Sequence, residues 1–381
     1  MLSKLFSYKK DEKNIVLRIF GIKYSRKNPE LTHKSIKEQD LYDLTALQQA
    51  QKLIVFLIPN IKMMTGGIQS IYSICKYSRE ICPDALCLIS THPGKFTYSH
   101  NDFFKNDEQI FRWEQIIENA KNAKEIIIHV PEYFAGKFYK SLKKADIKFL
   151  KGIENLQINI INQNIELMPA PAKIKDLFKL TNNITQTIGH HRYATQEVCD
   201  KWQIPAHFLS VHIDLSGYKS YPFEEKEKII VLSPDNAPYK EAVIEKLKNE
   251  LPDFKLVTVE NMTFGEYMDL IARAYFVISF GEGFDGYFNQ PEYVGSLGFA
   301  VYNDVFFPNQ SWSKLNNVYN SAEEMLKKLG FDLINLLNNQ NLYYQTLTQK
   351  KERLDKLYSS QILKENLIKF YNHNYEYLEW E

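Results

Sequence analysis

The chain alternates between short apolar runs and helical stretches, and this alternation runs through the sequence twice. In the first series the clearest strand signal is Leu53 to Ile58, an unbroken apolar run typical of a central parallel strand. After a polar stretch over 214–227, a second series opens at Lys228 to Leu232. Strands that are separated by helices pair in parallel. The sequence therefore predicts two Rossmann-like, doubly wound α/β domains that face each other across a cleft.

The same patterns predict the domain boundaries. A basic and apolar N-terminal segment with a connector occupies 1–50, and the N-terminal Rossmann-like domain occupies 51–215. The second Rossmann-like domain follows at 225–338. Helical periodicity continues over 339–381, and we expect these C-terminal helices to pack back toward the first domain.

Composition excludes several classes of protein. Lys and Arg number 47 against 46 Asp and Glu, so the net charge of +1 argues against a surface that coats nucleic acid. The four cysteines lack metal-ligand spacing, and we expect buried free thiols in a reducing compartment. No run of about 18 apolar residues occurs and no signal-peptide pattern opens the chain. These features predict a cytoplasmic protein.

The N-terminus is unusually basic. Its first 27 residues hold eight basic side chains, interleaved with apolar ones, against only Asp11 and Glu12. One interpretation is peripheral contact with anionic lipid on the cytoplasmic face of the inner membrane. The other is a solvated tail followed by an edge strand over Ile15 to Ile22, and both stay open.

The most informative motif follows the apolar run Tyr275 to Ile278. Three glycines fall within six residues there, and they are Gly281, Gly283 and Gly286. A short helix comes next, and the free N–H groups at a helix start favour anions. Glu282, Asp285 and Glu292 bracket this turn, and carboxylates suit sugar hydroxyls better than phosphate. The alternative is a charged surface turn.

Two further segments follow predicted strands at the ends where ligands bind in such sheets. Gly66 and Gly67 lie between a buried strand and a helix, where backbone can approach a ligand closely, although a tight turn is the alternative. Ser233 and Lys240 follow the first strand of the second series, and Lys240 could balance a diphosphate. The alternative is that these residues only stabilise the start of the following helix.

Histidines supply the remaining candidates. His129 ends a predicted strand of the first series and is expected to face the crevice, with a structural role as the alternative. His190, His191 and Arg192 follow the strand Thr185 to Ile188 and are candidates to bind acceptor or phosphate. Adjacent histidines on a strand point to opposite faces, so at most one of them serves the cleft.

Several motifs are absent from the sequence. No Asp-x-Asp occurs, so no carboxylate-held divalent metal at a nucleotide diphosphate is expected. No Walker-type phosphate loop occurs, and no Gly-x-Gly-x-x-Gly follows the first strand, which argues against a nucleoside-triphosphatase and a nicotinamide enzyme. The spacing Gly281-x-Gly283-x-x-Gly286 matches that motif, but it comes late in a domain and is treated as coincidental.

With these motifs the sequence resembles the GT-B glycosyltransferases, most closely the donor-binding segment of the retaining families. Glu282-Gly283-Phe284 is similar to the family's first glutamate motif, Glu292 to its second glutamate, and 298–301 to the strand entry that follows. The two glutamates are ten residues apart here, against eight in the family. The opening 19–23 is similar to the start of some bacterial lipopolysaccharide and capsule glycosyltransferases.

The resemblance implies transfer of a sugar from a nucleotide-sugar donor to a glycan or lipid-linked acceptor in bacterial surface polysaccharide synthesis, with no cofactor and no divalent metal. It implies that Glu292 binds the donor ribose and that Glu282 contacts the donor sugar, while His129 lies near the sugar or the acceptor hydroxyl. His129 and Glu282 are the expected catalytic residues. The expected donor-site residues are Gly66, Gly67, Ser233, Lys240, Gly281, Gly283, Asp285, Gly286, Tyr287 and Glu292. The alternatives are a nucleotide-sugar epimerase of the same shape and a non-catalytic carbohydrate- or nucleotide-binding protein.

Overall fold

The computed structural model of the protein describes residues 6–10, 14–19, 22–27, 29–63, 65–104 and 106–376, with side chains from Thr32 onward. The strands in these ranges are β1 Phe6–Lys10, β2 Asn14–Ile19, β3 Ile22–Lys27, β4 Lys52–Ile58, β5 Leu86–Thr91, β6 Ile110–Phe111, β7 Glu125–Pro131, β8 Asn155–Asn162, β9 Ile184–Ile188, β10 Ala206–Phe208, β11 Glu227–Leu232, β12 Lys255–Thr258, β13 Ala274–Ile278, β14 Leu297–Val301 and β15 Val318–Tyr319. The α-helices are α1 Pro29–Gln39, α2 Thr45–Gln49, α3 Gly66–Ile81, α4 Trp113–Asn119, α5 Glu132–Ser141, α6 Lys144–Lys151, α7 Pro171–Ile174, α8 Gln196–Trp202, α9 Lys240–Glu250, α10 Phe264–Arg273, α11 Gly286–Asn289, α12 Ala322–Asn338, α13 Gln340–Tyr358 and α14 Ser360–Tyr371.

The first three strands form an antiparallel sheet of their own, in the order β1-β2-β3. β2 pairs with β1 on one side and with β3 on the other. The interpretation of Ile15 to Ile22 as one edge strand is therefore wrong, because β2 is central and ends at Ile19. Two basic residues of the predicted lipid-contact segment, Lys4 and Lys13, lie outside the described residues, and that contact stays a prediction.

The chain divides into two compact units. The first comprises Met1–Gly189, Tyr193–Val211 and Lys364–Glu381, and the second comprises His190–Arg192 and His212–Leu363. The expected C-terminal segment 339–381 is thus shared between them. α13 packs in the second unit, where Tyr343 lies in the main core cluster, whereas Tyr371 of α14 contacts Ser78 in the first unit through a 2.6 Å hydrogen bond between their hydroxyls.

The first unit is built on a seven-stranded parallel sheet in the order β10-β9-β8-β7-β4-β5-β6. β4 is buried from Leu53 to Ile58 because helices cover both faces of the sheet, as its unbroken apolar run predicted. The four cysteines, Cys75, Cys82, Cys87 and Cys199, are free thiols, and the first three are buried.

The direction of winding in this sheet reverses between β4 and β7. β4 leads by α3 to β5 on one side, whereas β7 pairs on the other side of β4. In doubly wound sheets, ligands bind beyond the carboxyl ends of the strands at such a reversal. We call this place, formed by the segments that follow β4 and β7, the first switch point.

The second unit is built on a five-stranded parallel sheet in the order β12-β11-β13-β14-β15. Apolar side chains of the sheet and of α9, α12 and α13 form one core, including Phe276, Phe299 and Leu333. Its winding reverses between β11 and β13, because β11 pairs with β12 on one side and β13 on the other. The second switch point is formed by the segments that follow β11 and β13.

Candidate functional site

The two segments of the second switch point are joined by a hydrogen bond. Ser233, at the end of β11, accepts a hydrogen bond at its hydroxyl from the backbone N–H of Phe280, with a distance of 3.0 Å. The N–H of Ser233 donates in turn to the carbonyl of Ile278 at 2.9 Å. Ser233, which the sequence assigned to the donor site, therefore fixes the loop after β11 against the glycine turn.

Glycine is required at two positions of that turn. Gly281 and Gly283 have φ values of +73° and +77°, in the left-handed region that residues with a Cβ atom rarely adopt. A Cβ atom at Gly281 would lie 3.1 Å from the Cβ of Asp235, and one at Gly283 would lie 2.6 Å from the carbonyl oxygen of Val301. The backbone of the turn can therefore approach both the neighbouring loop and β14 closely.

Three carboxylates converge at this turn. Asp285 accepts hydrogen bonds from the N–H of Phe288 at 3.0 Å and from the hydroxyl of Ser279 at 2.8 Å. The pKa of Asp285 is raised from 3.8 to about 7, mainly by burial and in smaller part by the carboxylates of Asp235 and Glu282, while the hydrogen bonds from Ser279 and Phe288 oppose the rise. Asp235 was not among the sequence candidates, although its position directly after a strand end was a usable signal.

The helix that follows the turn is short, and the anion-binding role expected at its start stays a prediction. α11 has only four residues, so its dipole is small, and Asp285 caps its start by accepting from Phe288. Gly286 is the first residue of this short helix, and the ring of Tyr287 meets that of Tyr267 edge-on at 5.4 Å. The turn therefore presents carboxylate acceptors, and Asp285 occupies one N–H group of the helix start, that of Phe288.

Lys240 has a local role in the same loop. Its Nζ donates to the carbonyls of Ser233 at 2.7 Å and of Asp235 at 2.9 Å, and it lies 5.1 Å from the centre of the Phe280 ring. The ammonium group thus closes the loop after β11. Its expected role in balancing a diphosphate stays a prediction.

Glu292 is buried in an ion pair. It lies in a 3₁₀ helix, Pro291–Val294, and its Oε1 is 2.8 Å from the Nζ of Lys350 on α13, with both side chains at 0% exposure. Oε1 also accepts from the N–H of Gly298 at 2.9 Å, and Lys350 donates to the carbonyls of Phe288 and Gly298. Burial raises the pKa of Glu292 and lowers that of Lys350, while their mutual attraction opposes both shifts. With no exposed surface to offer a ribose, Glu292 is assigned to this ion pair instead.

At the first switch point, Gly66 and Gly67 are the first two residues of α3, whereas the sequence placed them between a strand and a helix. Thr65 caps this helix by accepting from the N–H of Ile68 at 3.2 Å. A Cβ atom at Gly67 would lie 2.7 Å from Oε1 of Gln163, which follows β8, so glycine permits that close contact. The expected nucleotide-binding role of the two glycines stays a prediction.

Glu132 is a candidate that sequence reasoning missed. It begins α5, directly after β7, and is 6% exposed. Its Oε1 accepts a hydrogen bond from the N–H of Asn164 at 3.3 Å. Burial raises the pKa of Glu132 from 4.5 to about 7, partly offset by backbone N–H donors of Glu132, Asn164 and Gln163. A carboxyl group with this pKa can exchange a proton near neutral pH, and its position shortly after a predicted strand was the available signal.

His129 lies within the first sheet and not at its edge. β7 continues past it to Pro131, and the side chain is 0% exposed. Its ring stacks on Phe56 with 4.4 Å between centroids, and Nδ1 accepts a hydrogen bond from Nδ2 of Asn159 at 3.0 Å. Burial lowers the pKa of His129 from 6.5 to about 3. The prediction that His129 ends its strand and faces a crevice is therefore wrong.

The segment His190–Arg192 belongs to the second unit, not to the first domain as predicted. His190 Nε2 donates to the carbonyl of Phe306 at 2.5 Å, and the buried His191 bonds through Nδ1 to the hydroxyl of Tyr358 at 2.9 Å. Arg192 pairs with Asp304 at 2.9 Å. These contacts anchor the segment, and its acceptor-binding role stays a prediction.

The described residues offer neither a metal-binding cluster nor a membrane-spanning helix. In the part of the chain that the structure describes, no group of three or more His, Cys, Asp or Glu side chains is placed to hold a metal ion. Among the helices of that part, none has both the length and the apolar character needed to cross a membrane.

Comparisons with known proteins establish the fold. No protein-family model matches the sequence, and no curated protein matches it. The chain is similar to an α-glucosyltransferase solved with UDP and a 13-mer DNA containing an HMU base, at 8% identity and a TM-score of 0.56, over 84% of this chain and 99% of that one. It is similar to HepE from Anabaena solved with UDP-glucose, at 10% identity and a TM-score of 0.54, over 84% and 99%.

A candidate UDP-N-acetylglucosamine 2-epimerase from Listeria monocytogenes is also similar, at 9% identity and a TM-score of 0.51, over 87% of this chain and 100% of that one. At these identities the likeness concerns the fold. Two α/β units with parallel sheets of seven and five strands and a helical C-terminal segment make up a GT-B fold. The fold class predicted from the sequence is confirmed.

Proposed function

We propose that the protein is a glycosyltransferase that moves a sugar, expected to be a hexose, from a nucleotide-sugar donor to a glycan or lipid-linked acceptor. The observation that carries this proposal is the carboxylate cluster of Asp235, Glu282 and Asp285 at the second switch point. Similarly folded proteins have been solved with UDP and with UDP-glucose. Carboxylates that accept hydrogen bonds, beside glycine backbone that a ligand can approach closely, suit the hydroxyl groups of a nucleotide sugar.

The proposed donor contacts follow from the charges of this cluster. Asp235 and Glu282 accept hydrogen bonds from donor hydroxyls, while the backbone at Gly281 and Gly283 lies close enough for direct contact. A diphosphate beside three full negative charges would be repelled. Because the pKa of Asp285 is raised to about 7, part of the population carries this group neutral near neutral pH, which lowers that repulsion.

For the acceptor we propose the first switch point, with Glu132 as the proton acceptor. The attacking hydroxyl oxygen forms a bond to the anomeric carbon and gives its proton to Glu132. The bond from that carbon to the phosphate oxygen breaks, and its electron pair stays on the phosphate. Direct displacement of this kind inverts the anomeric carbon, whereas the sequence resemblance implies retention. The anomeric configuration of the product distinguishes the two.

The test begins with the donor. Calorimetric titration with UDP, GDP, ADP, TDP and CMP identifies the nucleotide, and UDP is the first to try. The matching nucleotide sugars are then incubated with the protein, with and without glycan acceptors, and released nucleotide is measured. Nucleotide binding with release of free nucleotide supports the proposal. Absence of binding to every nucleotide contradicts it.

An epimerase is the second candidate, because one of the similarly folded proteins is a candidate UDP-N-acetylglucosamine 2-epimerase. An epimerase converts one nucleotide sugar into another, so proton NMR of the incubation would show a new sugar. A transferase or hydrolase would release free UDP instead. The ratio of the two products separates the candidates in one experiment.

We also propose that the reaction serves bacterial surface polysaccharide synthesis at the cytoplasmic face of the inner membrane, as the sequence resemblance implies. The eight basic residues in the first 27 support contact with anionic lipid. Substitution of Lys9, Lys10 and Lys23 by glutamine tests this segment in the full chain. Vesicle binding that is equal to the unsubstituted protein's would contradict the contribution of the segment.

A further inference from the structure

A single stretch of the first unit holds a concentration of positive charge. Residues 132–180 contain nine lysines and no arginine, against five carboxylates. The net charge of this stretch is +4 in a chain whose total is +1, so the remaining residues together carry −3. We call these nine residues the lysine face. Its members are Lys137, Lys140, Lys143, Lys144, Lys148, Lys151, Lys173, Lys175 and Lys179.

The elements that carry the lysine face lie on one side of the seven-stranded sheet. α5, α6, α7 and the 3₁₀ helix Lys175–Lys179 all bury apolar side chains in the same core cluster. α5 and α7 are direct neighbours, because a Cβ atom at Gly136 would lie 3.2 Å from the Cβ of Lys173. With their inner sides in the core, these helices present all nine lysines as exposed residues.

Little of this charge is compensated nearby. Two of the five carboxylates, Glu132 and Asp146, are buried. Three of the lysines make ion pairs, namely Lys140 with Asp176 at 3.6 Å, Lys179 with Asp176 at 2.7 Å, and Lys143 with Glu114 at 3.2 Å. Within the described residues, only these three of the nine lysines make an ion pair. Three of the others, Lys144, Lys148 and Lys151, recur on α6 at the spacing that places residues on one side of a helix.

Large apolar side chains are exposed in the same stretch. Tyr133 on α5 is 40% exposed, Leu167 after β8 is 51% exposed and Phe178 in the 3₁₀ helix is 41% exposed. Exposed cations that accompany exposed aromatic and aliphatic groups are typical of protein surfaces that lie on a bilayer interface.

We propose that the lysine face docks on an anionic lipid bilayer. Lysine is a point charge without the planar fork with which arginine reads individual phosphates, so nine lysines and no arginine fit a spread negative surface better than a specific polyanion. Each lysine near such a surface adds about 1 kcal/mol of attraction. The apolar residues give contact with the acyl boundary that a soluble polyanion does not offer. Docking is independent of transferase activity, so the test needs no substrate.

The test is co-sedimentation of the full chain with phosphatidylcholine vesicles, with and without phosphatidylglycerol. The test variant is Lys144→Gln, Lys148→Gln and Lys151→Gln together. The matched control is Lys248→Gln, Lys255→Gln and Lys327→Gln, which removes the same charge from exposed lysines of the second unit. We expect the test variant to lose about a hundredfold in binding to anionic vesicles, and the control to lose less than about threefold. Binding should also weaken as salt is raised, because the attraction is screened.

A second variant distinguishes lipid from other polyanions. Phe178→Ser should weaken vesicle binding severalfold and leave heparin binding unchanged. Equal losses in the test and control variants would show that only net charge matters, and would overturn the proposal. So would equal binding to vesicles with and without phosphatidylglycerol, or failure of the unsubstituted protein to bind at low salt. Unchanged vesicle binding in Phe178→Ser, with tighter binding to heparin than to vesicles, would identify a polyanion site instead.

Discussion

The two switch points are built from the same kind of strand-helix connection but carry different chemical groups. At the first, β4 and β7 lead into helices of 16 and 10 residues, and the one carboxyl that we identify there, Glu132, is held by backbone N–H groups. At the second, β13 leads into a glycine turn and a helix of four residues that Asp285 caps. β11 leads into a full helix of 11 residues, α9, so the two switch points differ in the glycine turn and short helix that follow β13 and in the three carboxylates gathered there.

This difference predicts that the two switch points bind different chemical groups. A site rich in carboxylates binds groups that donate hydrogen bonds, and sugar hydroxyls are such groups. A site beside the starts of two full helices can hold a negatively charged or proton-donating group. Five perturbations, taken from the largest expected effect to the smallest, can sharpen or break this contrast.

The largest effect is expected from Lys350→Met, which concerns the support of the second switch point. Removing the ammonium leaves Glu292 buried without a counter-charge, and this typically costs about 3–5 kcal/mol in the free energy of unfolding. Urea denaturation measures it. The double variant Lys350→Met, Glu292→Gln carries no buried charge and should recover most of the loss. Unchanged stability in Lys350→Met would contradict the ion pair.

Glu292→Gln alone then tests the site assignment. Our structure-based assignment predicts unchanged UDP affinity per folded molecule. The sequence resemblance predicts a loss of tenfold or more with the fold intact. The second outcome would add a fourth carboxylate to the donor site and would show that the ion pair opens on binding.

Glu132→Gln should have the next largest effect, and it concerns the first switch point. A positioned general base typically contributes a hundredfold or more to turnover, so kcat should fall by at least that factor with UDP affinity unchanged. In the unsubstituted protein, kcat should rise with pH through about 7, as Glu132 becomes the carboxylate, and the variant should lack this rise. Unchanged kcat would leave Glu132 a structural residue.

Protonation of Glu132 also makes the stability of the folded protein depend on pH. The folded-state pKa of Glu132, about 7, lies above the ordinary glutamate pKa of 4.5, so the folded protein holds the proton more tightly. The resulting stabilisation is fully present below pH 4.5 and is lost as the pH rises through about 7. Thermal unfolding of Glu132→Gln should lack this contribution. A pH dependence identical to that of the unsubstituted protein would contradict the raised pKa.

Glu282→Gln should have a smaller effect, confined to donor binding. Loss of one carboxylate that accepts from a hydroxyl should weaken donor affinity about tenfold, or about 1.4 kcal/mol, with stability unchanged. Glu245→Gln, on an exposed face of α9, is the matched control for the charge change. Equal donor affinity in both variants would remove Glu282 from the site and weaken the contrast between the switch points.

The sequence predicted the architecture well because strand periodicity and strand-helix alternation depend on local burial. The run Leu53 to Ile58 became β4, and Tyr275 to Ile278 fell within β13. The sequence also located the glycine turn, since residues with positive φ are usually glycines. These features depend on neighbours in the chain, which a single sequence displays.

The details of the site depended on contacts across the chain and were predicted less well. Glu292 was read as a ligand group because Lys350, its partner, lies 58 residues later on another helix. His129 was placed at a strand end because periodicity does not show where a strand stops. Glu132, which lies three residues beyond it, was overlooked for the same reason.

The smallest expected effect is that of EDTA, for which we predict unchanged turnover. The sequence has no Asp-x-Asp motif, and Asp285, with its pKa near 7, is partly protonated at neutral pH and is a poor ligand for a divalent ion in that form. Turnover should therefore be equal in EDTA and in added Mn²⁺. Loss of turnover in EDTA with recovery in Mn²⁺ would break the contrast between the switch points. Asp235, Glu282 and Asp285 would then be metal ligands rather than acceptors for hydroxyls. In that case Glu282→Gln would raise the Mn²⁺ concentration needed for half-maximal turnover, instead of weakening donor binding directly.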